Sequence, residues 1–132
     1  MSRENIEIVR QLFERFDPSD PAWIEAWHPD SRTTPATGWP EPGPFVGREA
    51  VVRQFQRLLD DWSESRFENV EVVADPEDWV IVTWRWVTKG AASGIEANLD
   101  VAAAYRVQDG KVIEGHFRWS AAEALEAAGL QE

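Results

Sequence analysis

The sequence predicts an α+β domain in which three early helices and a short C-terminal helix pack with a sheet of antiparallel strands. Apolar residues recur at spacings of three and four in the first half of the chain, as on the buried face of a helix. Apolar and polar residues alternate in the second half, which is typical of half-buried strands. With 132 residues, the chain is expected to form a single domain over residues 1–132, with the helices on one face of the sheet.

The first two helices are indicated by their end signals. The apolar face of the first helix consists of Ile6, Val9, Phe13 and Phe16. Pro18 cannot continue its hydrogen-bond ladder, so this helix is expected to end at Asp17. The second helix is predicted to begin after Asp20, a favourable N-cap residue, with Pro21 in the first turn. It is expected to end before Pro29 and to carry Trp23, Ala26 and Trp27.

Residues 33–47 contain four prolines and three glycines and are predicted to form a long loop. The prolines restrict its conformations, so the loop is expected to be either a semi-rigid lid or rim over a site or a purely structural excursion. The sequence leaves both interpretations open. A third helix is predicted over residues 48–62, with an apolar face that consists of Val51, Phe55, Leu58, Leu59 and Trp62.

The second half of the chain predicts strands over residues 67–74, 79–88, 95–107 and 112–119. Asp109-Gly110, between the last two strands, is a strong signal for a tight β-hairpin. Ser120 and Glu123 match a capping box that starts the C-terminal helix, and Gly129 is expected to end that helix.

Alternation in the last two strands assigns their side chains to two faces of the sheet. The apolar face carries Val101, Ala103, Tyr105, Phe117 and Trp119 among others. The opposite face carries Asp100, Ala102, Ala104, Arg106, Glu114, His116 and Arg118. A cavity on the apolar side is therefore expected to be aromatic and almost free of titratable groups.

The composition disfavours several classes of function. A formal net charge of −11 argues against nucleic acid and anionic membrane surfaces as partners, because these bind mainly through Lys and Arg. The chain has no cysteine and only two well-separated histidines, so no metal site is expected. No apolar stretch is long enough for a membrane span or a signal sequence, which predicts a cytoplasmic protein.

Three motifs, in this order and spacing, resemble the nuclear transport factor 2-like superfamily. They are Val46–Ala50 at the third helix, Asp109–Val112 in the last hairpin and Glu123–Leu130 after an aromatic strand. The last motif is especially similar to the SnoaL-like polyketide cyclase branch and its many bacterial relatives. The resemblance covers nearly the whole chain. It implies a curved antiparallel sheet that helices wrap into a cone, with a pocket between them and frequently a dimer across the outer sheet face.

The resemblance allows two enzyme chemistries to be compared with the sequence. The ketosteroid isomerases of this superfamily use a general-base Asp with an oxyanion hole of Tyr and protonated Asp. The corresponding positions here are Thr34 or Pro35 for the base, Leu12 for the tyrosine and Ala103 for the second aspartate. Only the pocket tryptophan has a counterpart, Trp119, so isomerase chemistry is not expected.

The limonene-epoxide hydrolases of the superfamily use an Asp-Arg-Asp arrangement inside the pocket. Asp100 with Arg85 or Arg118 offers similar groups. Because Asp100 is predicted on the polar face, this chemistry requires a β-bulge or the reverse assignment of the two faces.

The candidate ligand site is the inward aromatic set, whose rings suit a small apolar or aromatic molecule. Its members are Trp27, Phe55, Trp84, Trp86, Tyr105, Phe117 and Trp119. Candidate catalytic residues are His28 or Asp100 as a base and Tyr105 as a hydrogen-bond donor. His28 is expected at the end of the second helix, where it could equally cap carbonyl groups or pair with Asp30. His116 and Arg118 are expected to form cross-strand charge pairs or a dimer contact.

The sequence therefore predicts a SnoaL-like domain that binds a small apolar or aromatic molecule without a cofactor. If it is catalytic, the expected class is isomerisation, cyclisation or epoxide hydrolysis, and the sequence does not decide whether it is an enzyme. The alternative is a non-catalytic dimeric module with a filled interior. Ala102 and Ala104 would let a second copy approach the outer sheet face, which favours a homodimer. A pocket of about 300 Å³ or more would favour binding.

Overall fold

A computed structural model describes residues 2–130 of the chain. The helices are α1 (Ser2–Glu14), α2 (Pro21–Glu25), α3 (Arg48–Asp60) and α4 (Ala121–Ala127). The strands are β1 (Trp27–Thr34), β2 (Phe45–Val46), β3 (Trp62–Ala74), β4 (Trp79–Gly90), β5 (Glu96–Gln108) and β6 (Lys111–Arg118). The predicted α+β class is confirmed. None of the helices described within residues 2–130 combines the length and the apolar character that a bilayer crossing needs.

The six strands form one sheet in the order β2-β1-β6-β5-β4-β3. Neighbouring strands are antiparallel, except that β1 runs parallel to β6. The run from β3 to β6 is a meander, because each strand pairs with the next one along the chain. β3 and β2 are therefore the two edges of the sheet.

Three helix boundaries lie where the sequence predicts them, and local capping interactions explain each of them. The side chain of Asp20 accepts a hydrogen bond from the amide of Ala22 at 2.9 Å and so caps α2. The hydroxyl of Ser120 accepts from the amide of Glu123 at 3.2 Å, while the Glu123 carboxylate accepts from the amide of Trp119 at 3.2 Å. This capping box starts α4, which closes before Gly129 at a φ of +76°.

Strand β1 is the largest departure from the sequence-based expectation. The second helix ends at Glu25 instead of continuing to Pro29, so Trp27 and His28 lie on a strand and not on a helix. Pro29 disfavours a regular strand, and the pairing with β6 is irregular here: Trp27 pairs with Val112, but regular register resumes only at Arg32. The proline is accommodated by this irregularity, which local propensity does not reveal.

Two other predicted boundaries are also corrected. The third helix ends at Asp60, and Trp62 begins β3, five residues before the predicted start at Phe67. The added residues are mostly polar and hide the strand pattern, but an edge strand tolerates them because one of its sides faces solvent. The first two residues of the predicted loop over residues 33–47 belong to β1, and Phe45–Val46 near its end forms β2.

The main core lies between α1–α3 and one face of the sheet, which we call the inner face. Its sheet residues include Val80, Val82, Trp84, Trp86, Val101, Ala103 and Tyr105, all 4% exposed or less. The predicted apolar face of β5 is thus buried from Val101 to Val107, whereas Ile95 and Ala97, which were predicted on the same face, are exposed.

Helix α4 packs on the opposite, outer face of the sheet, so the expectation that all helices share one face is wrong. Its buried Ala124 forms a second cluster with Ile81, Ala102 and Ala104. The small side chains of β5 let the helix approach closely. Ala102 and Ala104, on which the expectation of a dimer rested, are therefore covered by the chain's own C-terminal helix.

Candidate functional site

The inner face and α1–α3 surround an aromatic interior with a small central cavity. Six of the seven predicted ligand-site residues line this cavity: Trp27, Phe55, Trp84, Trp86, Tyr105 and Phe117. Phe13 and Trp23 complete much of the remaining wall. Many of the rings meet edge to face, for example Tyr105 and Phe117 at 5.8 Å between centroids. The alternation of β4, β5 and β6 thus brings the predicted aromatic set together.

The interior is closely packed in this conformation. The central cavity leaves about 20 Å³ for the centre of a water molecule to move in. A second cavity of about 10 Å³ lies beside it, between Trp39, Gln54 and the shared ring of Phe117. Each volume corresponds to roughly one water molecule. A ligand can enter only if some of these rings move apart.

Three tryptophans of the cavity wall carry indole N–H groups without an acceptor. The Nε1 atoms of Trp27, Trp84 and Trp86 are buried, and none of them has a hydrogen-bond partner within residues 2–130. Trp23 differs, because its Nε1 donates to the carbonyl oxygen of Leu12 at 3.0 Å. An unsatisfied buried donor costs about 1–3 kcal/mol. The walls of the interior therefore contain three buried donors that lack an acceptor.

Among residues 2–130, Tyr105 is the only titratable residue in the wall of the central cavity. Its side chain is buried, and this burial raises the pKa of the phenol strongly above its ordinary value. The hydroxyl is thus neutral near pH 7 and can donate a hydrogen bond, but it is not a base. In the described part of the chain, the residues that line this cavity include no group that would accept a proton from a carbon acid at neutral pH.

Neither of the two candidate bases reaches the aromatic interior. His28, on β1, accepts a hydrogen bond at Nδ1 from the amide of Asp30 at 3.0 Å, and its Nε2 lies 3.9 Å from a carboxylate oxygen of Asp109. Asp100 is on the outer face, where its carboxylate accepts from Arg85 at 3.1 Å and its side chain is 76% exposed. The pairing of β4 with β5 is regular at this point, so no bulge turns Asp100 inward.

The sequence predicted that Trp119 lines the central cavity, but in the structure Trp119 lies at the rim. It is 39% exposed, and its Nε1 donates to the carbonyl oxygen of Thr37 at 2.9 Å. Its ring packs at 5.8 Å against Trp39, which packs at 5.9 Å against Trp86. Trp119 directly follows Arg118, the last residue of β6, and lies beyond the enclosed part of the sheet, which alternation alone does not indicate.

Sequence reasoning missed several residues that line the two cavities, among them Leu12, Phe16, Trp23, Trp39 and Phe67. Trp39 comes from the proline-rich segment and covers the second cavity. Phe67 of β3 lines the central cavity and pairs in register with Trp86. An aromatic residue within a proline-rich loop is a signal that could have indicated Trp39, and alternation along β3 could have indicated Phe67.

A polar network occupies the outer face near β1 and β6. His116 Nδ1 lies 2.8 Å from the hydroxyl of Thr34, and its Nε2 lies 2.9 Å from a carboxylate oxygen of Glu114. Arg106, on β5, donates to the other oxygen of that carboxylate at 3.2 Å. Arg118 donates to Thr34 Oγ1 at 3.0 Å. The cross-strand ion pair of this network thus joins Arg106 and Glu114, and not His116 or Arg118 as expected. His116 contacts Thr34 of β1 and Glu114 of its own strand, and Arg118 donates to Thr34.

Glu114 makes this network sensitive to acid. Burial raises the pKa of its carboxyl group, but hydrogen bonds and charge from His116 and Arg106 outweigh burial and bring the net pKa below the ordinary 4.5. A carboxyl group whose pKa is lowered by folding stabilises the folded state at pH values above its ordinary pKa. This contribution is lost as the pH falls through the folded-state pKa.

We therefore expect Glu114→Gln to lower the free energy of unfolding at pH 7 and to lose this effect on acidification below pH 4.5. Urea unfolding of both proteins over a pH series measures the difference. Glu64→Gln is the control, because Glu64 is 70% exposed and its carboxylate lies 3.7 Å from Lys89. A difference for Glu114→Gln that stays constant between neutral and acid pH would contradict the assignment.

Within residues 2–130, the His, Asp and Glu side chains form no group of three or more that could hold a metal ion. The outer-face network is internally paired, and the interior is aromatic. The donor set that the aromatic interior presents is thus made of indole N–H groups and one phenol.

Residues 9–115 match the model of the SnoaL-like domain family. Among solved structures, a candidate polyketide cyclase from Xanthomonas campestris is similar with a TM-score of 0.78 and 18% identity, over 92% of this chain and 94% of that one. A protein of unknown function from Burkholderia pseudomallei, described as similar to nuclear transport factor 2, has a TM-score of 0.76 and 20% identity, over 93% and 95%.

The protein TerC, co-crystallised with polyporic acid, is similar with a TM-score of 0.74 and 19% identity, over 93% of this chain and 98% of TerC. No curated protein sequence matches this chain. At these identities, the solved structures establish the fold.

Proposed function

Because this chain belongs to the SnoaL-like domain family of the nuclear transport factor 2-like superfamily, we propose that it binds a small, flat aromatic molecule in its aromatic interior. The observation that carries the proposal is the set of buried indole N–H groups of Trp27, Trp84 and Trp86 that lack acceptors. A ligand with carbonyl oxygens would satisfy donors that otherwise cost about 1–3 kcal/mol each. Stacking against the surrounding rings would supply the apolar part of the affinity.

The ligand chemistry follows from the wall of the cavity. Aromatic faces favour a planar ring system, and hydrogen-bond donors favour acceptor atoms on that system. Tyr105 adds a neutral hydroxyl, and burial raises its pKa further above the neutral range. A quinone, an aromatic ketone or a lactone fits this donor set. The co-crystallisation of TerC, a protein of similar fold, with polyporic acid supports this use of the fold.

The proposal is for binding and includes no proton transfer. The residues of the central cavity provide a hydrogen-bond donor in Tyr105 but no base, and His28 and Asp100 lie elsewhere. Acid–base catalysis needs a base within hydrogen-bond reach of the proton that it removes. An isomerase, cyclase or epoxide hydrolase activity would therefore require a group from outside this wall.

Trp84→Phe and Trp23→Phe form a matched pair that tests the proposal, because both tryptophans are 4% exposed and only Trp23 uses its N–H within the protein. The probes are 9-fluorenone and fluorene, which share a flat three-ring frame but differ in one carbonyl oxygen. In the wild type, we expect fluorenone to raise the melting temperature more than fluorene does, since only a ligand that favours the native state stabilises it.

Trp84→Phe removes one of the three unsatisfied donors and is expected to reduce the extra stabilisation that fluorenone gives over fluorene, while Trp23→Phe is expected to leave it unchanged. Thermal unfolding and titration calorimetry measure these differences. If neither probe binds the wild type, or if both tryptophan variants lose fluorenone equally, the interior donors are not the site of binding.

The small volume of the interior supports a second candidate function, a non-catalytic module that acts through association. Cavities of about 20 and 10 Å³ are far below the volume of a ligand pocket. For this function we expect a stable homodimer in sedimentation equilibrium and no response to any flat aromatic probe. A monomer that binds fluorenone would exclude it.

A further inference from the structure

An open groove lies on the surface between α1 and β3, directly beside the aromatic interior. It has a volume of about 460 Å³. Arg10 and Glu14 border it on α1, and Ser65, Arg66 and Val70 border it on β3. This groove, unlike the central cavity, is large enough for part of a small ligand without any movement of the protein.

The groove and the central cavity share one wall. The rings of Phe13, Phe16 and Phe67 line both spaces, and we call these three rings the phenylalanine wall. Phe67 contacts Phe13 edge to face at 5.1 Å and Phe16 at 5.0 Å between ring centroids. All three side chains are half-buried, which agrees with one surface toward the groove and one toward the interior. A single layer of rings thus separates the groove from the unsatisfied indole donors.

The β3 side of this wall is the side that can yield most easily. β3 is an edge strand, so its movement breaks pairing with β4 only. Its register with β4 shifts between Glu68 and Glu71, just after Phe67, and Asn69 within the shift has a φ of +54°. Such bulges interrupt the hydrogen-bond ladder and occur often next to binding sites. Phe67 is therefore the ring whose displacement opens a path from the groove into the interior.

The groove carries positive charge on both of its sides. Arg10 forms no ion pair with any other residue in the part of the chain that the structure describes, residues 2–130. Arg66 pairs with Glu68 at 2.8 Å, with side chains that are 62% and 38% exposed. Pairs that reach solvent contribute little, so a ligand carboxylate can compete with Glu68 for Arg66. Within residues 2–130, Glu14 is the one carboxylate that lines the groove. With Glu68 included, two guanidinium groups meet two carboxylates among the described residues, and Arg10 is the guanidinium without an ion pair.

We propose that the ligand of the interior is an aromatic monocarboxylate whose anionic end stays in the groove between Arg10 and Arg66. Its rings pass the phenylalanine wall and reach the indole donors, while guanidinium groups hold the carboxylate by charge-assisted hydrogen bonds. The negative charge of the rest of the protein is screened beyond about 8 Å at physiological ionic strength. The nearby guanidinium groups therefore contribute most to the binding of an anion in the groove. Glu14 disfavours a second negative charge on the ligand. This inference rests on the proposed function, since it assigns the charged end of the same ligand.

A pair of probes separates the charge from the rings. 9-Oxofluorene-2-carboxylate and its neutral 2-carboxamide have the same shape and the same ring carbonyl. We expect the wild type to bind the carboxylate about tenfold more tightly, the size of one charge-assisted hydrogen bond. Raising the salt concentration is expected to weaken the binding of the carboxylate and to leave the affinity for the carboxamide unchanged.

Arg10→Gln and Arg66→Gln are both surface changes and are expected to fold normally. Each is expected to reduce carboxylate affinity about tenfold in titration calorimetry, with carboxamide affinity unchanged. Arg53→Gln is the control, because Arg53 is an exposed arginine on α3 whose partner is Glu49. This control is expected to bind both probes as the wild type does.

The outcomes separate the two proposals. In one outcome, the carboxamide binds and its affinity falls in Trp84→Phe, but Arg10→Gln and Arg66→Gln change the affinities for both probes equally. The groove inference is then wrong, and the proposal of a ligand site in the interior stands. If the carboxylate binds no more tightly than the carboxamide in the wild type, the groove inference is also wrong. If neither probe binds, both proposals are wrong.

Discussion

Replacing Trp86 with alanine is expected to remove a large fraction of the stability of this protein. Trp86 is 2% exposed and lies where the inner face of β4 meets the helices and the proline-rich segment. Its ring packs against the rings of Phe16, Trp39, Trp62, Phe67 and Trp84. Truncation of a buried Trp or Phe to Ala costs about 3–5 kcal/mol. A domain of this size is stabilised by only about 5–15 kcal/mol in total.

Trp119→Ala is the matched control for this experiment. It removes the same side chain, but Trp119 is 39% exposed and contacts mainly Trp39. Urea unfolding followed by far-ultraviolet circular dichroism gives both free energies without relying on tryptophan emission. We expect Trp119→Ala to cost well under half as much as Trp86→Ala. Equal losses would contradict the assignment of Trp86 to the core and Trp119 to the rim.

Ala124→Asp is expected to have the second-largest effect, because it places a carboxylate beneath α4. Ala124 is fully buried against Ile81, Ala102 and Ala104 on the outer face of the sheet. An uncompensated buried charge costs about 3 kcal/mol or more. If the cost exceeds the energy that docks α4, the helix leaves the sheet and the small-residue patch becomes exposed.

Ala122→Asp provides the comparison on the same helix. Ala122 is exposed, so a carboxylate there stays in water near the N-terminus of α4, where negative charge is favourable. We expect its free energy of unfolding to stay within about 0.5 kcal/mol of the wild type. Limited proteolysis near the C-terminus, together with urea unfolding, reports whether α4 has detached. Wild-type stability of Ala124→Asp would mean that α4 does not pack on this face.

Alternation of side chains predicted the two faces of the sheet because burial of one face leaves little freedom of register. Tyr105 and Phe117 point inward and Asp100 points outward, as parity requires. Parity does not say what covers the outward face. Two alanines there were compatible with a second copy or with a helix of the same chain, and only the tertiary structure shows α4 on them.

The site was predictable in its residue types and less so in its limits. Trp27 was correctly assigned to the aromatic interior, but it was placed on a helix, whereas it lies on β1. Pro29 is unusual in a strand, and β1 forms through an irregular pairing with β6 that the sequence does not indicate. Trp119 follows the right parity but lies past the enclosed region. The volume of the interior depends on how many rings meet in three dimensions, which the sequence does not contain.

Four indoles form a continuous row from the core to the surface of the molecule. Successive ring centroids are 5.1 Å apart from Trp62 to Trp86, 5.9 Å from Trp86 to Trp39 and 5.8 Å from Trp39 to Trp119. At such distances, electronic transitions of neighbouring indoles couple and give exciton bands in circular dichroism. Trp39 is the link in this row that comes from the proline-rich segment, so the part of the exciton signal that disappears in Trp39→Phe reports how that segment packs on Trp86 and Trp119.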